Sequence, residues 1–190
     1  EMEKINHIDK TGKSGGGREL YGETLQANDK PLNVSFNTQH VRTDLPMTCF
    51  ADVAASSSEH STFTLQLAGK STMVTIKPIS TSDFETKAES GTMLLKTYPQ
   101  TTGRQNVVLY YDYASSESSS MGYVNYIELN VPLQLTLQGS AISICNTNYL
   151  LQSRNTRYTL TNATATTQIW RVTDGVNIQQ IPTTINQIRM

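Results

Sequence analysis

Between Tyr123 and Val131 the chain reads Tyr-Val-Asn-Tyr-Ile-Glu-Leu-Asn-Val, and this alternation constrains the fold more than any other feature. Side chains alternate faces along a β-strand. Tyr123, Asn125, Ile127, Leu129 and Val131 share one parity; Val124, Tyr126, Glu128 and Asn130 share the other. The pattern predicts a strand that sends Ile127, Leu129 and Val131 into a core and turns Glu128 and Asn130 outward.

The same period of two recurs along the chain. Leu32, Val34 and Phe36 alternate with Asn33, Ser35 and Asn37. Met47 to Ala55 is a more continuous apolar run, suited to a strand covered on both faces. Phe63, Leu65 and Leu67 alternate with Thr62, Thr64 and Gln66, then Ala68-Gly-Lys-Ser71 leads to Val74 and Ile76. This predicts a hairpin in which Gly69 takes the positive φ of a tight turn. Thr92 to Thr97 and the aromatic, β-branched run Val107 to Tyr113 read as further strands, separated from Tyr123 by a Ser-rich loop over 114–120. After Pro132, Leu133, Leu135 and Leu137 alternate with Gln134, Thr136 and Gln138. Ala141–Cys145, Tyr158–Leu160, Gln168–Val172 and Ile178–Ile181 complete the expected strands.

No amphipathic helix and no fixed-period repeat is evident. About ten short strands divided by turns predict an all-β fold, a β-sandwich with jelly-roll or Greek-key connections. The expected core draws on Phe36, Phe63, Leu65, Leu109, Ile127, Leu129, Leu135, Ile144 and Trp170. Residues 1–17, with the flexible Lys13-Ser-Gly-Gly-Gly17, read as a linker, residues 18–182 as a single sandwich domain, and residues 183–190 as leading out toward a downstream domain.

Composition narrows the function. A net charge of −1 over 190 residues gives no broad attraction to nucleic acid or anionic membrane. Charged residues are 16% of the chain, so hydroxyls and amides carry much of its solvation. No apolar run is long enough to insert into a bilayer.

Catalytic chemistry finds little support. A cysteine nucleophile needs a histidine within reach, yet Cys49 and Cys145 sit mid-strand while His7, His40 and His60 lie in polar segments. The two thiols read as small buried hydrophobes, with a disulfide as the alternative if their strands are adjacent. No close His/Cys spacing or Asp-rich loop suggests a metal. Asp112, Glu117 and Glu128 read as scattered surface carboxylates rather than a calcium site, and no cofactor is implied. Ser14-Gly-Gly-Gly-Arg18 lacks the Lys-Ser/Thr ending of a phosphate loop. Asn162-Ala-Thr164 matches a glycosylation sequon. Tyr110, Tyr111, Tyr113, Tyr123 and Tyr126 gather around the Ser-rich loop. They read as a core rim with wet hydroxyls, or as a platform on which Tyr110 and Tyr123 stack against sugar rings.

Three segments occur in a recognisable order: Ser14-Gly-Gly-Gly-Arg-Glu-Leu-Tyr-Gly-Glu23, Gly122-Tyr-Val-Asn-Tyr-Ile-Glu-Leu-Asn130, and Ile169-Trp-Arg-Val-Thr-Asp174. Together they resemble the non-catalytic region preceding the peptidase domain in PorU-type sortases of the type IX secretion system, gingipain-like cysteine peptidases of Bacteroidetes. Asn125, Arg171 and Gly175 depart from the family pattern. The resemblance implies a secreted or outer-membrane surface location and a downstream peptidase-like domain in the same chain. Its implied partners are secretion-system proteins or cargo, and it implies no catalysis within these residues. Within the motifs, Arg18, Glu19, Tyr21 and Gly22 are expected to anchor the leading segment by side-chain hydrogen bonds, with Glu128 pairing a base such as Arg18. Tyr126 and Asn130 belong to the central motif. Trp170 is expected as a core anchor and Asp174 as a turn cap. A carbohydrate-binding module is the alternative function.

Overall fold

The computed structural model describes the backbone of residues 2–6 and, in full, residues 21–26, 29–80, 88–113, 120–144, 158–172 and 176–182. Two compact units divide the chain, Glu1–Gln134 and Leu135–Met190.

The first unit is an all-β sandwich. Its strands are β1 (Met2–Asn6), β2 (Thr24–Leu25), β3 (Leu32–Phe36), β4 (Met47–Ser56), β5 (Ser61–Leu67), β6 (Lys70–Ile76), β7 (Glu89–Thr97), β8 (Gln105–Tyr113) and β9 (Met121–Asn130). One sheet has the order β1-β9-β4-β7, with β2 also paired to β9; the other has the order β3-β8-β5-β6. All pairings are antiparallel. Successive strands pass repeatedly from one sheet to the other, the jelly-roll arrangement. β1 lies within the stretch read from sequence as a linker. Among the described residues no helix is long and apolar enough to cross a membrane.

The core follows the expected parity across both sheets. Phe36, Phe63, Leu65, Leu109, Ile127 and Leu129 are buried together with Met47, Cys49, Val53, Ile76 and Val107. Each such side chain contributes about 1.5–3 kcal/mol of transfer free energy. The β5–β6 turn forms as expected, with Ala68 at φ 49° and Gly69 at φ 72°, the paired positive dihedrals of a two-residue hairpin loop.

β9 departs from simple alternation. Asp52 of β4 pairs with Tyr126, but the next residue, Val53, pairs with Val124. Asn125 is therefore the extra residue of a β-bulge. The bulge flips the parity of everything before it: Val124, expected outward, is buried, whereas Tyr123 joins Tyr126 and Glu128 on the outer face. Gly122 then falls inward. A Cβ there would lie 2.8 Å from both Phe63 Cζ and Tyr111 Cδ2, so glycine lets β9 approach the aromatic side chains of the opposite sheet.

The second unit is sparser. β10 (Ile169–Val172) and β11 (Ile178–Ile181) form a two-stranded antiparallel sheet. The strand expected over Leu133–Leu137 does not form. Isolated bridges stand there instead, Val41 to Leu133 in the first unit and Thr136 to Thr161 in the second. Nor do Ala141–Ile144 or Tyr158–Leu160 form strands. Three side chains expected in the core are not in it: Leu135 is half-buried, Ile144 is exposed, and Trp170 is 51% exposed. Both faces of the β10–β11 pair are open, so parity alone gives Trp170 no buried place.

Candidate functional site

The outer face of the β3-β8-β5-β6 sheet is built from the polar parity of each strand. Val108 stands opposite Gln66 and Asn33, and Gln66 opposite Ser71. One row along, Tyr110 stands opposite Thr64, and Thr64 opposite Met73. The next row holds Asp112, Thr62 and Thr75. At the other end Ser35 donates to Asn106 Oδ1 at 2.6 Å. Tyr110 is 40% exposed and Met73 65% exposed. These rows contain hydroxyls and amides, no Lys or Arg, and one carboxylate, Asp112, whose Oδ1 accepts the Tyr113 N–H at 2.8 Å.

A shallow pocket of about 250 Å³ opens where this face meets the β5–β6 turn. Gln66, Lys70, Ser71, Asn106 and Val108 line it beside Ala68 and Gly69 of the turn. The turn is held from outside the hairpin: Gln100 Nε2 donates to the Ala68 carbonyl at 3.0 Å. The face thus offers an aromatic ring, an apolar spot at Val108, and amide and hydroxyl groups that both donate and accept. Such a mixture suits a neutral, hydroxyl-rich ligand whose C–H faces lie on a ring while its O–H groups find partners.

The outer face of the β9 sheet is different. Tyr21 meets Tyr123 edge-on, with ring centroids 6.3 Å apart, and Phe50 stacks on Tyr126 at 5.6 Å. All four rings are half-buried, and they lie over the central strands. Glu128 accepts a hydrogen bond from Asn130 Nδ2 at 2.8 Å, and Lys4 takes the register position opposite Glu128. The Gly22 N–H donates to the Val124 carbonyl at 3.1 Å, and the Val124 N–H donates to the Glu23 carbonyl at 3.0 Å. Arg18, Glu19 and Asp174 lie outside the described residues, as do Cys145, His7 and Glu117.

The tyrosines therefore do not form one platform. Tyr110 and Tyr123 stand on the outer faces of opposite sheets. Tyr111 points inward, is bonded to Ser120 Oγ at 2.7 Å and packs on Phe63 at 4.8 Å, while Tyr113 lies beside Tyr111 at 6.1 Å. Of the groups considered for catalysis, Cys49 is fully buried. Burial first, and the Glu128 charge second, push its thiol up to about 12, which leaves it without nucleophilic thiolate at neutral pH. His40 and His60 are exposed. Among the described residues no group of three or more His, Cys, Asp or Glu is placed to hold a metal.

The pocket residues Gln66, Lys70, Ser71 and Asn106 are not evident from sequence. Their outward parity is readable in each strand, but the adjacency of β8 to β5 comes from a crossover that local pattern does not encode.

Comparison with known proteins bears on this fold. No protein-family model matches the chain, and no curated protein matches it. Among solved structures, it is similar to dimeric latent PorU from Porphyromonas gingivalis at 16% identity and a TM-score of 0.59, over 73% of this chain and 13% of that one. It is also similar to the carbohydrate-binding module CBM36 in complex with calcium and xylotriose, at 17% identity and a TM-score of 0.40, over 67% of this chain and 99% of that one. A further likeness is the CBM36-1 domain of a multidomain xylanase from the hindgut metagenome of Trinervitermes trinervoides, at 11% identity and a TM-score of 0.40, over 75% and 100%. The chain spans 13% of the length of the PorU chain it matches. At these identities the likeness to PorU is one of fold.

Proposed function

We propose that this chain is a non-catalytic β-sandwich module that binds carbohydrate through the outer face of the β3-β8-β5-β6 sheet. The observation that carries this reading is Tyr110, 40% exposed, in continuous rows of Thr64, Gln66, Ser71 and Asn106 that end in a pocket. An open tyrosine gives contact area with little loss of side-chain freedom, and the flanking amides and hydroxyls match alcohol groups in both bonding senses. Retention on a panel of immobilised polysaccharides tests it. The intact chain should be retarded by at least one polymer, and Tyr110→Ala should weaken that retention about tenfold. A panel with no retention contradicts the reading.

A second reading concerns the longer protein. The fold likeness to PorU and the three ordered motifs favour an accessory module of a secreted, surface-associated, gingipain-like peptidase. In that setting the module positions a downstream catalytic domain and offers surface to secretion partners or cargo. The two readings are compatible, since Gly122 and the β9 motif serve the inner packing while the proposed sugar face lies on the opposite sheet. The reading frame beyond Met190 decides the second: an α/β domain with paired His and Cys supports it, and an early stop codon contradicts it.

A further inference from the structure

The row of the sugar face that holds Tyr110 has a cross-section of its own. Tyr110 of β8 stands opposite Thr64 of β5, and Thr64 stands opposite Met73 of β6. Directly opposed side chains on one face of a sheet start about 5 Å apart. Tyr110 and Met73 therefore rise about 10 Å apart, twice the spacing of adjacent strands. Both are exposed, Met73 at 65%, while the short Thr64 between them is half-buried. A phenol ring and a thioether thus flank a threonine floor. The floor continues along β5 on the same parity, as Thr62 on one side and Gln66 on the other. The flanking side chains in those rows are shorter than Tyr110 and Met73: Asp112 and Thr75 beside Thr62, Val108 and Ser71 beside Gln66. From Thr62 to Gln66 the path runs about 14 Å, at about 3.4 Å per residue.

We infer that Tyr110 and Met73 form a clasp around one unit of a neutral, unbranched polysaccharide lying lengthwise along β5, with Met73 setting the preference for the unbranched chain. The ring takes one C–H surface of the sugar, and the flexible, polarizable thioether adapts to the other side. Below them, the Thr62 and Thr64 hydroxyls and the Gln66 amide meet sugar hydroxyls in both bonding senses. The path is open beyond the clasp in both directions, so a polymer passes through it. A branch projecting sideways from the clasped unit meets one wall or the other. Neutrality follows from charge: these rows carry no cation, and their one carboxylate, Asp112, disfavours an acidic polymer. This inference rests on the carbohydrate reading above and adds the class of polymer and a second contact residue.

Affinity electrophoresis of the intact chain tests it with neutral polymers. Galactomannan and arabinoxylan are each run before and after enzymatic removal of their branches, and linear mixed-linkage β-glucan is run beside branched xyloglucan. The unbranched member of at least one pair should bind several-fold more tightly. Met73→Ala should weaken that binding about fivefold, less than full burial of a methionine side chain would give, and should bring the two members of the pair level. Met73→Leu keeps an apolar wall of similar volume and should retain both affinity and preference. Thr64→Phe raises the floor and should abolish binding. Met73 and Thr64 lie on the outer face, so all three variants should unfold at the wild-type temperature. Equal or tighter binding of the branched members, or full binding by Met73→Ala or Thr64→Phe, overturns the inference while leaving the carbohydrate reading in place. No binding to any of the six polymers overturns the inference, and a wider panel without retention overturns the carbohydrate reading as well.

Discussion

The two compact units both place apolar side chains opposite one another across antiparallel strands, and bury them to different degrees. In the sandwich, Ile127 and Leu129 are each 2% exposed because the opposite sheet supplies Phe63, Leu65 and Leu109 across the core. In the second unit, Ile169 faces Ile181 and Val172 faces Ile178 across the β10–β11 ladder, yet all four remain exposed. A two-stranded ladder alone is marginal in water. Parity in a sequence therefore says which side chains share a face, and a second layer decides whether that face becomes a core.

Perturbations of the sandwich core should dwarf those of the hairpin. Phe63→Ala, at a fully buried position touching Tyr111, should cost about 3–5 kcal/mol in denaturant unfolding. Gly122→Ala should cost about 1–3 kcal/mol, because its Cβ has to displace Phe63 or Tyr111 from closely packed positions. Cys49 adds an effect that depends on pH. Its thiol resists ionisation in the fold up to about pH 12 but ionises near 9.0 once the chain is unfolded. Above pH 9 the unfolded state therefore holds fewer protons, and the stability of the wild type relative to Cys49→Ala should shrink as pH rises toward 12. In a Cys145→Ser background at pH 8, the same thiol should react with an alkylating reagent only as fast as the fold opens. Trp170→Ala should shift stability within about 0.5 kcal/mol, since half its side chain is already in water. A loss at Trp170 as large as at Phe63 would mean that the hairpin face is covered after all, and would break the contrast between the units.

Much of the sandwich was legible in the sequence. The strands around Phe36, Phe63, Leu109 and Ile127, the hairpin at Ala68-Gly69 and the all-β class all follow from period and turn chemistry. Three things did not follow. The bulge at Asn125 adds one residue to β9 without altering composition, so the inward and outward sets before it exchange places. The Leu133–Leu137 alternation looks like a strand, but it has no continuous neighbour to pair with beyond the bridges at Leu133 and Thr136. The grouping of tyrosines around the Ser-rich loop looked like one surface. Strand alternation and the passage of the chain from β8 to β9 instead put Tyr110 and Tyr123 on opposite sheets. Sites composed of residues from crossover-paired strands, such as Gln66 with Asn106, are the least visible to local reading.

That separation of the two tyrosines allows the most direct test of the functional account. Binding of the polysaccharide retained by the intact chain should be measured for Tyr110→Ala and Tyr123→Ala side by side, with thermal unfolding of each. Tyr110→Ala should bind about tenfold more weakly with an unchanged melting temperature, whereas Tyr123→Ala should keep full binding and lose stability. Full binding by Tyr110→Ala together with its loss in a well-folded Tyr123→Ala would contradict it, and would move the site to the outer face of the β9 sheet.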